Sequence, residues 1–113
     1  MGMGMYVLEN QVPVLEPDTL KWAKWFETAK RTVRSETGKV KIGGQEVGEV
    51  RISTVFLGLD HSFGGGSPLL FETMVFGGPL DQQQDRCSTW EAAEKMHEAM
   101  VERVRYATKS QAL

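Results

Sequence analysis

The fold of this chain is decided by the segment from Val50 to Gly77, which reads VRISTVFLGLDHSFGGGSPLLFETMVFG. Its two arms, residues 50–59 and 69–77, are dense in β-branched and aromatic residues, which is typical of strands buried on much of both faces. The nine residues between them are too few for a helical crossover, so the two strands must be antiparallel neighbours. The sequence therefore predicts an antiparallel sheet of about four or five strands with this hairpin at its centre.

Length and composition indicate a single soluble globular domain. The chain has 113 residues, of which 41% are hydrophobic and 25% are charged, and this is enough to bury a core. The net charge of -2 gives no general attraction to nucleic acid or to an anionic membrane. We expect no membrane partner, see no strong nucleic-acid signal, and predict a cytoplasmic protein, since its single Cys87 cannot form an internal disulfide.

Two amphipathic helices are expected to pack on one face of the sheet. Asp18 can accept hydrogen bonds from the first turn of a helix over residues 18–34. The apolar residues of that segment share one helical face: Trp22, Trp25, Phe26, Ala29 and Val33. A second helix over residues 89–106 begins with a capping box, in which Ser88 accepts from the Glu91 N–H and the Glu91 carboxylate reaches back. Together with the sheet, these helices predict an α+β fold.

The segments outside this frame carry weaker signals. Residues 6–15 suit a short hairpin, and Pro13 places it at a sheet edge because proline cannot donate a ladder hydrogen bond. The other segments are predicted to be an exposed hairpin insertion at 39–49, a polar loop at 80–86, a disordered start at 1–5 and a frayed tail at 108–113.

The loop between the central strands is the main candidate for ligand or partner binding. Long loops that join rigid strands are common recognition surfaces, and glycines let backbone N–H groups approach a ligand closely. The candidate residues are Asp60, His61, Ser62, Phe63, Gly64, Gly65 and Gly66, with Arg51 as a cation that could assist. No Lys-Ser, Lys-Thr or helix start follows the glycines, so the loop is not a Walker or dinucleotide motif. A plain flexible connection is the alternative.

Glu72 is the one acidic residue inside an apolar strand, and a buried carboxylate needs a partner. His97, on the apolar face of the second helix, is our predicted partner in a buried polar pair; Arg51, Thr54 and His61 are the other possibilities. Asp60, His61, Glu72 and His97 could also converge as a metal site or an acid-base site. Because their spacing matches no tight motif, we assign no catalytic residue, cofactor or metal.

Several segments resemble a family of small uncharacterised proteins encoded by bacteriophages and prophages. They are residues 53–61, 70–78 and 88–94, joined by the N-terminal Tyr6-Val7-Leu8 and by the stretch from Trp22 to Glu27. Relative to shorter members, residues 40–48 look like an insertion. The family has no established activity, so the resemblance implies only a context, namely an infected or lysogenic bacterium.

Together these observations predict a phage accessory protein that acts by binding, as a counter-defence or host-modulating inhibitor of a host or defence protein. A nucleotide-sequestering protein that uses the glycine loop is one alternative, and a metal-dependent enzyme that uses the four residues named above is another. The second sheet face also looks apolar in the sequence, which predicts self-association as a symmetric homodimer.

Overall fold

The computed structural model of the chain describes residues 4–63 and 65–111. Its elements, in chain order, are β1 (Tyr6–Glu9), β2 (Val12–Leu15), α1 (Thr19–Thr28), β3 (Thr32–Ile42), β4 (Gln45–Phe56), β5 (Phe71–Phe76), β6 (Gln84–Cys87) and α2 (Trp90–Gln111). β1 and β2 form a two-stranded sheet, and the other strands form a four-stranded antiparallel sheet in the order β3-β4-β5-β6. The predicted α+β fold is confirmed.

The central hairpin is antiparallel as predicted, with Arg51 opposite Phe76 at one end and Phe56 opposite Phe71 at the other. Alternate side chains of β4 and β5 point toward α2 and are buried; we call this side the helix face. It carries Val50, Ile52, Thr54, Phe56, Phe71, Thr73 and Val75. The opposite side, which we call the open face, carries half-buried or exposed side chains: Arg51, Ser53, Val55, Glu72, Met74 and Phe76. Burial on both faces was therefore a wrong expectation, because α2 covers only one face.

Helix α2 supplies most of the layer over the sheet. Its C-terminal half packs Met100, Val101 and Val104 against the β3 and β4 end of the core. Its N-terminal half packs Ala93 and Trp90 against Phe56, Leu70 and Phe71. The N-cap is Thr89, whose hydroxyl accepts from the Ala92 N–H at 3.1 Å, so the predicted cap at Ser88 was one residue too early. The helix also continues to Gln111, past the predicted end at 106.

Helix α1 is shorter than the predicted segment 18–34. It begins after the N-cap Asp18, as expected, but ends at Thr28, and β3 starts at Thr32. Thr32 pairs with Val55 of β4 and Arg34 pairs with Thr54, with Val33 at an irregularity between them, and this strand pairing overrides the helical spacing of Val33. Trp25 of α1 packs edge-on against Phe56, which brings the helix to the same side of the sheet as α2.

Three further segments differ from their predicted roles. Part of the predicted polar loop at 80–86 forms β6, which pairs with β5 from Met74 opposite Gln84 to Phe71 opposite Cys87. Gly4 and Met5 are not a disordered start, since Met5 bridges to Leu59; residues 1–3 of that prediction lie outside the described residues. Residues 39–49 are the turn end of the β3–β4 hairpin, exposed except for the buried Val40, with Gly43 and Gly44 at the turn with φ of 59° and 81°. Among the described residues, no helix is long and apolar enough to cross a membrane.

Candidate functional site

The loop after β4 is closed at its base by Asp60. One carboxylate oxygen, Oδ1, accepts from the backbone N–H of Ser62 at 2.8 Å and of Leu69 at 3.0 Å. The hydrogen bonds from Ser62 are the main reason that the pKa of Asp60 lies below its usual range, because they stabilise the ionised carboxylate. The backbone of His61 also donates to the Leu69 carbonyl at 3.0 Å. Asp60 and His61 therefore hold the two ends of the loop together.

Beyond this base the loop presents an aromatic side chain to solvent. Phe63 is 85% exposed, the most exposed of the large apolar side chains described. Gly65 and Gly66 have φ of 99° and 90°, where a side chain would be strained, and no atom lies within 4 Å of either Cβ position. Gly64 lies outside the described residues. Both positions therefore favour glycine, and the Phe63 ring is exposed to solvent close to them in the sequence.

The N-terminal hairpin β1–β2 lies beside the loop base. The Asp60 N–H donates to the Gly4 carbonyl at 3.0 Å, and the Tyr6 N–H donates to the Gly58 carbonyl at 2.8 Å. Leu15, which is 57% exposed, approaches to 3.7 Å from the Cβ position of Gly4. An exposed apolar side chain of β2 therefore lies near Gly4, which is hydrogen-bonded to the loop base, and we call Leu15 and the described loop residues 60–63 and 65–68 the loop surface.

Arg51 does not belong to the loop surface. It lies on the open face, with its guanidinium carbon 4.7 Å from the centre of the Phe76 ring. Arg51 is five residues before the end of β4, which corresponds to roughly 17 Å along the strand, and the loop begins beyond that end, at Asp60. The hairpin end at 39–49 lies farther still in the same direction, so the expectation that Arg51 assists the glycine loop is wrong.

His97 is buried and sits inside a chain of hydrogen bonds on the helix face. Its Nδ1 lies 2.7 Å from Thr54 Oγ1, which lies 2.5 Å from Thr73 Oγ1, and its Nε2 lies 3.1 Å from Glu36 Oε1. An ionised carboxylate only accepts hydrogen bonds, so Nε2 carries the proton and donates to Glu36. In the neutral imidazole, Nδ1 then accepts from Thr54, and Thr54 accepts from Thr73.

These hydrogen-bonded groups follow the order hydroxyl, imidazole, carboxylate, which hydrolytic enzymes use to activate a nucleophile. Thr54, Thr73 and His97 are each 0% exposed, so no substrate can reach the hydroxyl of Thr54. All of their polar atoms have partners, and among the described residues no buried side-chain nitrogen or oxygen lacks one. The arrangement therefore orders the core and does not form an accessible active site.

Glu72 does not pair with His97, contrary to the predicted buried pair. Glu72 projects from the open face, where its Oε2 accepts from Arg86 Nε at 2.9 Å. Side chains alternate along a strand, and Glu72 lies between the buried Phe71 and Thr73, so it must point away from α2. Glu72, His97 and Asp60 thus have three separate sets of partners, and the described residues contain no group of three potential metal ligands.

Cys87 is the remaining group with nucleophilic chemistry. It is half-buried at the end of β6, and burial raises the pKa of its thiol. Its Sγ lies 3.7 Å from the Thr89 carbonyl oxygen, and no histidine is among its partners. The thiol is therefore poorly ionised at neutral pH and lacks the activation that a catalytic cysteine needs.

The sequence reasoning missed three polar residues that matter. Arg86 was predicted to lie in a loop and Glu36 in a helix break, although Glu36 joins β3 to α2 through His97. Thr73 was treated as an ordinary strand residue, and Thr54 was named only as a possible partner of Glu72. Their common position on the helix face, with His97 on the covering helix, was the signal that could have found them.

No protein-family model, curated protein or solved structure matches the chain.

Proposed function

We propose that this protein acts by binding a partner protein through the loop surface. The observation that carries the proposal is Phe63, an aromatic side chain that is 85% exposed on a loop whose base is fixed by Asp60. Aromatic side chains held on rigid supports are the typical anchors of protein interfaces, because they bury a large area with little loss of entropy. A solvated phenylalanine has no stabilising role in the free chain.

The neighbouring hairpin supports this assignment. Leu15 and Val12 of β2 are 57% and 58% exposed, and Leu15 borders the loop base through Gly4. Leu15 therefore adds exposed apolar surface near the loop base for contact with a partner. The resemblance to phage-encoded proteins gives the class of partner that we propose, a host or defence protein of the infected bacterium.

The two alternative functions lack such support. A phosphate group would compete with the Asp60 carboxylate for the Ser62 and Leu69 N–H groups, and Arg51 is too distant to supply a cation. A metal-dependent enzyme would need the separated residues Asp60, Glu72 and His97 to meet. We therefore propose no second function.

The test compares Phe63→Ala with Tyr106→Ala, since Tyr106 is another exposed aromatic residue, at 76%, on α2. Both variants should keep the melting temperature of the wild type, because neither side chain is packed. Tagged proteins are used to capture partners from lysate of a bacterium that hosts related phages, followed by quantitative mass spectrometry. We expect a host protein that the wild type and Tyr106→Ala retain and that Phe63→Ala loses. Equal retention by all three proteins would refute the loop surface as the binding site.

Self-association as a homodimer through the open face stays a separate prediction. The open face is less apolar than the sequence indicated, because Arg51 and the ion pair of Glu72 with Arg86 lie on it beside Met74 and Phe76. Light scattering during size-exclusion chromatography, over a range of concentrations, measures the mass directly.

A further inference from the structure

The outer edge of β3 offers backbone hydrogen-bonding groups that the fold does not use. β3 is the first strand of the four-stranded sheet, and no strand among the described residues pairs with its outer side. From Arg34 to Val40 its pairing with β4 is regular, and irregularities occur only before and after this stretch. A regular, unpaired edge can accept an additional strand.

A groove runs between this edge and α2. Its cavity measures about 380 Å³, and its floor is formed by four aliphatic core residues: Val50, Ile52, Val101 and Val104. Gly38 is the reason for the opening, because it occupies a helix-face position of β3 without a side chain. A Cβ built on Gly38 would meet only Val50 Cγ1, at 3.9 Å. A groove flanked by an edge strand and a helix can bind a peptide as an added strand, with alternate side chains of the peptide in the groove.

The charges beside the groove favour an acidic occupant. On the β3 side the groove is lined by one cation, Lys39, and one carboxylate, Glu36. On the α2 side the groove is lined by Arg105 and Lys109.

Two of these cations are already paired with carboxylates, Lys39 with Glu46 of β4 and Arg105 with Glu102 of the same helix. Lys109 takes part in no ion pair among the described residues. A second copy of β3 would bring further cations to the same edge, so self-pairing is disfavoured.

We propose that this groove binds an extended acidic peptide segment of another protein, which pairs with the outer edge of β3 and places an apolar side chain over Gly38. The proposal does not depend on the loop surface. Phe63 lies beyond the other end of β4, so each site can be tested without the other.

The probes are fluorescein-labelled decapeptides in which glutamate alternates with valine, leucine or phenylalanine, and binding is followed by fluorescence anisotropy. A matched series carries lysine in place of glutamate. A third series has N-methylated backbone nitrogens along one edge, which removes the N–H donors that strand pairing needs. We expect acidic peptides to bind at least about tenfold more tightly than lysine peptides, and N-methylation along the pairing edge to weaken binding by about tenfold.

Two pairs of variants locate the site. Gly38→Val fills the groove, and Gly48→Val is its control, since Gly48 is a strand glycine of β4 outside the groove with no atom within 4 Å of its Cβ position. Both should stay folded, because valine favours strands. Lys109→Glu reverses a charge at the groove, and Lys95→Glu reverses one nearer the start of α2. We expect Gly38→Val to weaken binding by about tenfold or more and Lys109→Glu by about threefold, with little change in the controls.

The following results would overturn the proposal. The acidic peptides bind no better than the lysine peptides, N-methylation has no effect along either edge, or Gly38→Val behaves like Gly48→Val. A dimer of the wild type that Gly38→Val dissociates would replace the peptide with a second copy as the occupant of the groove.

Discussion

The buried hydrogen-bond chain from Thr73 through Thr54 to His97 has a direction, and this direction predicts unequal effects of two similar substitutions. Thr54→Val keeps the shape of the side chain and removes its hydroxyl. The Thr73 O–H then has no acceptor and His97 Nδ1 has no donor, although both are 0% exposed. A buried polar group left without a partner costs about 1–3 kcal/mol, so Thr54→Val should destabilise the fold by about 3 kcal/mol.

Thr73→Val removes only the first hydroxyl of the hydrogen-bond chain. Thr54 still donates to His97 and loses one acceptor contact, which corresponds to about 1 kcal/mol. The double variant Thr54→Val/Thr73→Val has no Thr73 hydroxyl that lacks an acceptor, so only His97 Nδ1 remains without a hydrogen-bond partner. Its cost should be about 2 kcal/mol, which is less than the cost of Thr54→Val alone.

Urea unfolding monitored by tryptophan fluorescence measures these differences, because Trp25 and Trp90 pack against Phe56 and Phe71. With a slope of about 2 kcal/mol per molar urea, Thr54→Val should lower the midpoint by about 1.5 M and Thr73→Val by about 0.5 M. Equal midpoints for the two single variants, or an additive double variant, would refute the direction. Nδ1 would then also carry a proton and donate to Thr54, and Thr54 would donate to Thr73.

Three further outcomes are expected. Thr89→Ala should cost about 1 kcal/mol and Ser88→Ala less than about 0.5 kcal/mol in thermal unfolding, because Thr89 supplies the cap of α2. Gly77→Ala should cost more than about 2 kcal/mol, since Gly77 has φ of 90° and a Cβ would collide with a carbonyl of β4; Gly48→Ala is its control in the same unfolding experiment. The pKa of Asp60 is lowered in the folded state, so the stability that its ionised carboxylate gives to the loop is complete above the ordinary aspartate pKa of about 3.9. This stability is lost as the pH falls through the lowered value. Asp60→Asn should remove this dependence of loop stability on pH, which can be measured as hydrogen exchange of the loop amides between pH 5 and pH 2.

The sequence predicted the sheet because the pattern of β4 and β5 is unusually strong, and it failed where a strand lacks that pattern. β6 has the sequence Gln-Asp-Arg-Cys and lies at an edge of the sheet, so it needs no alternating apolar side chains. The predicted end of α1 was wrong for the opposite reason, namely that the sequence pattern fits two structures. Val33 fits both a helical spacing and a strand, and only its position beside β4 decides between them.

Within the candidate site, the prediction for His97 was better than the prediction for its partner. Its position on the apolar face of a helix indicated a buried imidazole bonded to a strand side chain, and Thr54 confirms this. The prediction of Glu72 as its partner was wrong, because both faces of β5 carry apolar side chains in the sequence. Met74 and Phe76 lie on one face, and Thr73 and Val75 lie on the other. The sequence therefore could not tell which set faces α2.

The two polar systems of the central hairpin differ in the way that burial requires. On the open face, Glu72 and Arg86 are 15% and 31% exposed, so both charges keep contact with water. On the helix face, the three fully buried members are two hydroxyls and an imidazole, and the carboxylate at the end of the hydrogen-bond chain, Glu36, is 43% exposed. The predicted pair would have placed the Glu72 carboxylate against a histidine that is 0% exposed, at a desolvation cost of several kcal/mol. The observed pairing avoids that cost, because both carboxylates keep contact with water and neither is fully buried.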